Sequence, residues 1–258
     1  MAKKNFAEDP PDELAPETMR DETQSGEPGG NLPAHRQTTA LVDPDAAANF
    51  NAAGMRPPWL TLVHGVGEAA GTFNPGDLIL AKENLVCPKG KTMDVIILNV
   101  DQYVKQRVSN DDWNAGVRPK TFKTMAEAAA AGLQTQWVGG IGPDVSPAMD
   151  LTLLLRRPPE VNCGLFAIEL GDGFEYAICK FSVDKTAYTV LFNDIALIIK
   201  AKLKTTGVFS AVWTANTELS KPNTKGNRSQ VTRFRFKEML KPEVVQSIFG
   251  VLGTPSNG

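Results

Sequence analysis

The stretch Gln230-Val231-Thr232-Arg233-Phe234-Arg235-Phe236-Lys237 decides the fold that the sequence predicts. Side chains of a β-strand point alternately to the two faces of a sheet. The alternation therefore predicts a strand whose Phe234 and Phe236 face a core. Its opposite face carries three cations toward solvent, and we call these the cation ladder: Arg233, Arg235 and Lys237.

The ladder lies within the most basic part of the chain. Residues 200–241 contain ten Lys and Arg residues against only Glu218 and Glu238, which gives a local net charge of +8. Aromatic side chains such as Trp213 are interspersed with these charges. Cations along the phosphates and aromatic faces under the bases are what a surface needs to bind single-stranded nucleic acid. The competing interpretation is a solvated face, because lysines are mostly exposed in any protein.

The beginning of the chain has the opposite charge. Residues 1–47 carry a net charge of −6, although the whole chain of 258 residues carries only −2. Residues 1–54 are rich in Pro, Gly, Ala and acidic residues and nearly free of aromatics, which predicts a disordered tail. We expect residues 55–258 to form a single globular β-rich domain. The tail either solubilises the protein, competes with nucleic acid for the basic surface, or recruits partners.

The order of elements predicts an α+β fold. Several stretches have strand character, among them 60–63, 93–100 and 149–156, and Gly171-Asp172-Gly173 indicates a hairpin. Apolar residues then recur at helical spacing, which predicts one main helix at about 185–205. This pattern favours mainly antiparallel β-structure, arranged as a sheet or as a barrel like the oligonucleotide-binding (OB) fold.

Catalytic and metal-binding patterns are weak. Three cysteines, Cys87, Cys163 and Cys179, are too few and too scattered for a disulfide framework, and their spacing does not match a zinc site. His64 is the one histidine outside the predicted tail, so a nucleophilic triad is not expected. Carboxylates such as Asp94 and Asp101 leave a metal-dependent nuclease as a weaker alternative. We therefore expect a protein that is not an enzyme and needs no cofactor.

The sequence also bears on localisation. The first residues lack the apolar run of a signal peptide, and no stretch reaches the roughly 18 apolar residues that span a bilayer. A reducing cytoplasm is the expected compartment, without membrane association.

Two stretches carry a resemblance to a known group of proteins. Pro58-Trp59-Leu60-Thr61-Leu62-Val63-His64-Gly65, followed by residues 73–77 (Phe-Asn-Pro-Gly-Asp), resembles the opening of small proteins encoded in the replication and recombination modules of tailed phages. The basic strand region with a tryptophan at 209–214 is similar too. The resemblance implies a phage protein that binds single-stranded DNA through an OB-type barrel. Many such proteins carry an acidic tail at the C-terminus, whereas this chain has its acidic segment at the N-terminus.

The leading hypothesis is a single-stranded DNA-binding protein of phage or mobile-element replication and recombination. Its partners would be single-stranded DNA, replication or recombination proteins reached through the acidic tail, and further copies of itself. The alternative is a structural or assembly protein of a virion. Trp59 and Trp113 are additional candidates for base stacking. The residues expected to bind nucleic acid are Lys202, Lys204, Trp213, Lys221, Lys225, Arg228, Arg233, Arg235 and Lys237.

Overall fold

The computed structural model describes residues 56–65, 67–204, 206–222 and 226–252. The predicted tail at 1–54 lies outside the described residues, so both its disorder and the domain boundary stay predictions. The strands are β1 (Leu60–Leu62), β2 (Leu78–Leu80), β3 (Asn84–Cys87), β4 (Thr92–Gln106), β5 (Thr121–Phe122), β6 (Val145–Arg156), β7 (Ile168–Glu169), β8 (Glu175–Asp184), β9 (Ala211–Leu219) and β10 (Gln230–Met239). The helices are α1 (Asn110–Asn114), α2 (Met125–Ala130), α3 (Lys185–Ala201) and α4 (Pro242–Leu252), with short 3₁₀ turns at Glu68–Gly71 and Val208–Ser210.

Two antiparallel sheets form the fold. The larger has seven strands in the order β10-β9-β4-β6-β8-β7, with β5 paired to β4, and the smaller has the order β1-β2-β3. The prediction of mainly antiparallel β-structure with a main helix is confirmed. In the described part of the chain the large sheet is not closed by hydrogen bonds between its two end strands, so the barrel is not confirmed.

The large sheet is nevertheless strongly curved. The rings of Phe181 on β8 and Phe234 on β10 have their centroids 6.4 Å apart. Three strands separate β8 from β10, and a flat sheet would hold them roughly 19 Å apart at about 4.8 Å per strand. Strand β1 contacts both β8 and β10, and Trp59 at its start forms a bridge to Lys180. The small sheet therefore covers the gap that the curvature leaves between these two strands.

The main core lies on the concave side of the large sheet. It contains the completely buried indole of Trp213, and Phe234 packs there as the alternation predicts. Helix α3 contributes Leu191 and Ile195, and the small sheet contributes buried leucines. A second apolar cluster on the opposite face joins Val244 and Ile248 of α4 to the sheet. Both faces of the central strands are thus covered, which explains their nearly continuous apolar runs.

The paired ends of β4 and β6 extend beyond the main core, with β5 alongside β4. Val104 of β4 and Val145 of β6 form a small apolar cluster there with Ala128 of α2. The Thr124 hydroxyl accepts a hydrogen bond from the Glu127 amide at 3.1 Å and so caps the N-terminus of α2.

Helix α3 lies against the outer edge of strand β10. An edge strand presents unpaired backbone groups, and here the Asp194 carboxylate accepts a hydrogen bond from the Phe234 amide at 3.3 Å. The same carboxylate accepts from Arg233 Nε at 2.7 Å and Nη2 at 2.8 Å. One side chain therefore covers the edge and fixes the helix beside it.

We predict that Asp194→Ala lowers the free energy of unfolding by roughly 1.5–3 kcal/mol, because the Phe234 amide loses its acceptor and the Arg233 guanidinium keeps only the more distant carboxylate of Glu218. Urea denaturation followed by circular dichroism measures the change. Asn193→Ala, at the exposed neighbouring position of the helix, is the matched control and should stay within about 0.5 kcal/mol of the unchanged protein. Equal effects of the two substitutions would contradict the role given to Asp194.

Candidate nucleic-acid interface

Most of the described cations that the sequence singles out lie on strand β10 or beside it, the cation ladder on one face of the strand and Lys202 over Phe236 on the other. We give the name α3–β10 seam to strand β10, the helix α3 beside it, and the described residues of the β9–β10 loop, 220–222 and 226–229. Lys202 just after α3 places its Nζ 4.2 Å from the centroid of the Phe236 ring near the end of β10. At the other end, Ser220 and Ser229 extend the β9–β10 pairing, since the Ser220 amide donates to the Ser229 carbonyl at 2.8 Å. Lys221 comes directly after Ser220, and Arg228 comes directly before Ser229. Cations therefore occur from this end of β10 to Lys202 at the other end, over about 30 Å.

The cation ladder within this seam is paired with carboxylates. Arg233 engages Asp194 on two nitrogens, and its Nη1 lies 3.6 Å from Glu218. The pKa of the Arg233 guanidinium is raised, mainly by its hydrogen bond to Asp194. Arg233 thus holds α3 on β10 through its ion pair with Asp194. The sequence predicts instead that Arg233 contacts a phosphate.

The other two members of the ladder are more accessible. Arg235 bonds Glu218 with its side chain 62% exposed, and Lys237 Nζ lies 2.7 Å from Asp94 with its side chain 42% exposed. Exposed ion pairs contribute only about 0–1 kcal/mol, so a phosphate is able to displace the carboxylate. Asp94 is also held by Arg156 at 2.7 Å. Releasing Lys237 would therefore leave Asp94 with another cation.

Four predicted cations are exposed and unpaired. Among the described residues, no carboxylate oxygen lies within 4 Å of their charged groups, and the set is Lys202, Lys204, Lys221 and Arg228. The remaining predicted cation, Lys225, lies outside the described residues. These four side chains are the part of the basic region best placed to meet phosphates.

The prediction that Trp213 stacks on bases is wrong for this structure. Its indole is completely buried in the main core. Its Nε1 donates to the Val208 carbonyl at 3.4 Å, and its ring meets Phe236 edge to face with centroids 6.5 Å apart. Trp213 lies among cations along the chain, which suggests an exposed side chain. Its position on strand β9 instead points the indole into the main core.

The two other candidate tryptophans are exposed but lie on different elements. Trp59 is 45% exposed and lines a groove between β1, β8 and β10. Trp113 is 51% exposed on α1, where the Arg118 guanidinium lies 4.6 Å from the centroid of its ring. Trp113 does not line the groove, so only Trp59 is brought close to the start of β10.

Sequence reasoning missed two features of this surface. Asp194 falls three residues after Leu191, on the apolar face of α3, and a carboxylate in that stripe indicates a buried partner. The second is that the first turn of α3 is not capped: Asp184 stands at the N-cap position, where the sequence predicts a cap, but it makes no capping hydrogen bond. The Asp184 carboxylate pairs with Lys105 and does not cap the helix, and this contact between residues distant in the chain is visible only in the structure.

The cysteines behave as core residues. Burial raises the pKa of Cys87 to about 11, with a smaller contribution from Asp77, and burial raises the pKa of Cys179 to about 12. Buried protonated thiols are poor nucleophiles and poor metal ligands. Within the described residues, no group of three or more His, Cys, Asp and Glu side chains is arranged to hold a metal ion. In the same part of the chain, no helix is long and apolar enough to cross a membrane.

Neither family models nor curated proteins nor solved structures give a match to this chain.

The buried thiols predict an alkaline loss of stability. Their folded pKa values exceed the ordinary thiol value of 9.0, so the unfolded chain binds fewer protons than the folded one above about pH 9. The free energy of unfolding should therefore fall as pH rises from about 9 toward 12. Urea denaturation over this pH range measures it for the unchanged protein, Cys179→Ala and the half-buried control Cys163→Ala. Cys179→Ala should give the shallowest slope, and a slope parallel to that of the unchanged protein would contradict the assignment.

Proposed function

We propose that this protein binds single-stranded DNA without acting as an enzyme, as expected of a protein of phage or mobile-element replication and recombination. The observation that carries the proposal is the exposed, unpaired set Lys202, Lys204, Lys221 and Arg228 along the α3–β10 seam. Cations in a line neutralise successive phosphates of one strand and release their counterions. Arg235 and Lys237 add two further charges once their carboxylate partners Glu218 and Asp94 are displaced.

The curvature of the large sheet supports an OB-like architecture as part of this proposal. OB barrels bind single strands in a basic groove across a curved sheet. Here β1 bridges the space between β8 and β10, and the seam runs along the outer side of β10. The acidic residues 1–54 would compete with DNA for this surface or recruit replication proteins. The host cytoplasm would be the compartment.

A salt series with a labelled single-stranded oligonucleotide tests the proposal. Replacing Lys202, Lys204, Lys221 and Arg228 together by Gln should weaken binding at low salt by about tenfold or more. The slope of log affinity against log salt should become shallower by up to about 3, because each phosphate that is no longer neutralised removes about 0.7 from it. Fluorescence anisotropy on the full chain measures both quantities.

The matched control makes the same change in net charge elsewhere. Lys82, Lys91, Lys120 and Lys123 are exposed and lie outside the seam, and replacing all four by Gln should leave most of the affinity and slope intact. Equal losses in the two variants would contradict the seam as the binding surface. Absence of binding at low salt would overturn the function, and cleavage of the strand with magnesium would identify a nuclease instead.

A second candidate, a virion structural or assembly protein, is favoured by one observation. Trp137, Val138 and Ile141 are 72%, 60% and 67% exposed around a tight hairpin. Its turn residues Gly139 and Gly140 have positive φ values of 57° and 84°, as a two-residue hairpin turn requires. Clustered exposed apolar side chains mark interaction surfaces. Light scattering on the same preparations separates the candidates: an oligomer that Trp137→Ser disrupts, without DNA binding, would favour assembly.

A further inference from the structure

A groove lies beside the seam, at the junction of three elements. It has a volume of about 450 Å³ and is bounded by the start of β1, the end of β8 with the first turn of α3, and the start of β10. This volume lies in the range of sites for small organic ligands. The groove adjoins Arg228, because Ser229 and Gln230 belong to its wall. It is thus continuous with the exposed cations of the β9–β10 loop.

One wall of the groove is the N-terminus of α3. The first amides of a helix lack partners within the helix, and they commonly bind phosphate or other anions. Asp184 makes no capping hydrogen bond, and its Oδ2 accepts instead from Lys105 Nζ at 3.3 Å. The first amides of α3 therefore donate no hydrogen bond to Asp184, whose carboxylate also lines the groove but is paired with Lys105. Lys185 and Thr186, both exposed, stand at the same place in the wall.

A second and independent observation concerns unsatisfied polar atoms. Thr232 is only 1% exposed, and its Oγ1 has no hydrogen-bond partner; the buried Oε1 of Gln230 has none either. Both residues line the groove. Most buried polar atoms in proteins are paired with protein groups or ordered water, so unpaired atoms beside a cavity indicate a missing partner. Among the described residues, four buried side-chain atoms are unpaired, and two of them belong to residues that line this groove.

The third feature of the groove is the flat aromatic face of Trp59. Trp59 is 45% exposed and lines the groove beside β8. Its backbone is fixed on both sides: the Lys180 amide donates to the Pro58 carbonyl at 2.9 Å, and the Ala81 amide donates to the Trp59 carbonyl at 3.0 Å. An indole on a fixed backbone loses little freedom when a planar ring stacks on it. Base stacking on such a side chain contributes substantially to single-strand binding.

We propose that this groove binds one nucleotide unit, an aromatic base carrying a phosphate. The base stacks on Trp59, and the unpaired atoms of Gln230 and Thr232 bond its polar edge or sugar. The phosphate accepts from the first amides of α3, with Lys185 and Arg228 nearby. This assignment rests on the proposed function, because the groove would hold one base of a single strand that is bound along the seam. The same chemistry would also accept a free nucleotide.

Two substitutions test the groove on the full chain. Thr232→Val removes an unpaired buried hydroxyl while keeping its shape, so stability should hold or rise while affinity falls by about three- to tenfold. Trp59→Ala should weaken oligonucleotide binding by roughly tenfold or more. Thr152→Val and Trp137→Ala, at positions outside the groove, are the matched controls and should leave affinity unchanged. Affinity for labelled oligo(dT) is measured by anisotropy, and thymidine 5′-monophosphate is titrated while the indole N–H signal of Trp59 is followed by NMR.

The two ligands separate failure of the groove from failure of the function. If Trp59→Ala and Thr232→Val bind the oligonucleotide as tightly as the controls do, the groove is not a nucleotide site. The proposed binding of single-stranded DNA would then still stand. If the mononucleotide shifts the Trp59 signal but the oligonucleotide does not bind, the groove is a nucleotide site. The proposed binding of single-stranded DNA would then be wrong. If neither ligand binds, both are overturned. The expected result is weaker oligonucleotide binding in both groove variants and weaker binding of thymidine 5′-monophosphate in Thr232→Val, with both control variants unchanged.

Discussion

The carboxylate of Asp194 makes the interaction on which the arrangement of the proposed binding surface depends. It accepts hydrogen bonds from two nitrogens of Arg233 and from the Phe234 amide. A free edge of a sheet tends to pair with other chains, and this contact places a helix over it. Because α3 is held there, its first turn opens beside the groove and Lys202 reaches the end of β10. Both ends of the proposed surface therefore depend on one ion pair.

Curvature of the sheet is the second constraint. Phe181 and Phe234 come together only because the strands between them bend, and their contact leaves an opening that β1 crosses. Trp59 stands at this crossing, on a strand that contacts both sides of the opening. The core that drives the bending is apolar, whereas hydroxyl, amide and carboxylate groups line the opening beside apolar ones. A few polar groups placed on an apolar scaffold are the usual composition of a ligand site.

Much of the fold was predictable because its signals are local. The alternation at 230–237 predicts a strand with Phe234 inward, and the apolar spacing predicts α3; both are confirmed. Local signals do not specify which strands neighbour each other or how far a sheet bends. The open large sheet and the crossing by β1 arise from contacts between residues distant in the chain, so the sequence left sheet and barrel undecided.

The candidate site was less predictable for a related reason. The sequence shows which residues are charged but not which charges are paired, so the ladder looked free although Asp194, Glu218 and Asp94 engage it. Trp213 failed as a stacking residue because neighbours in sequence need not share a face. The unpaired atoms of Gln230 and Thr232 are visible only when their surroundings are known.

Amide hydrogen exchange measured with and without a bound oligonucleotide tests the central claim most directly. Amides in the first turn of α3 lack acceptors when the groove is empty, so they should exchange fast in the free protein. Single-stranded oligonucleotide should slow exchange in residues 185–189 and 226–232, and leave the hairpin at 137–141 unchanged. Protection at 137–141 without protection at the start of α3 and β10 would contradict the account.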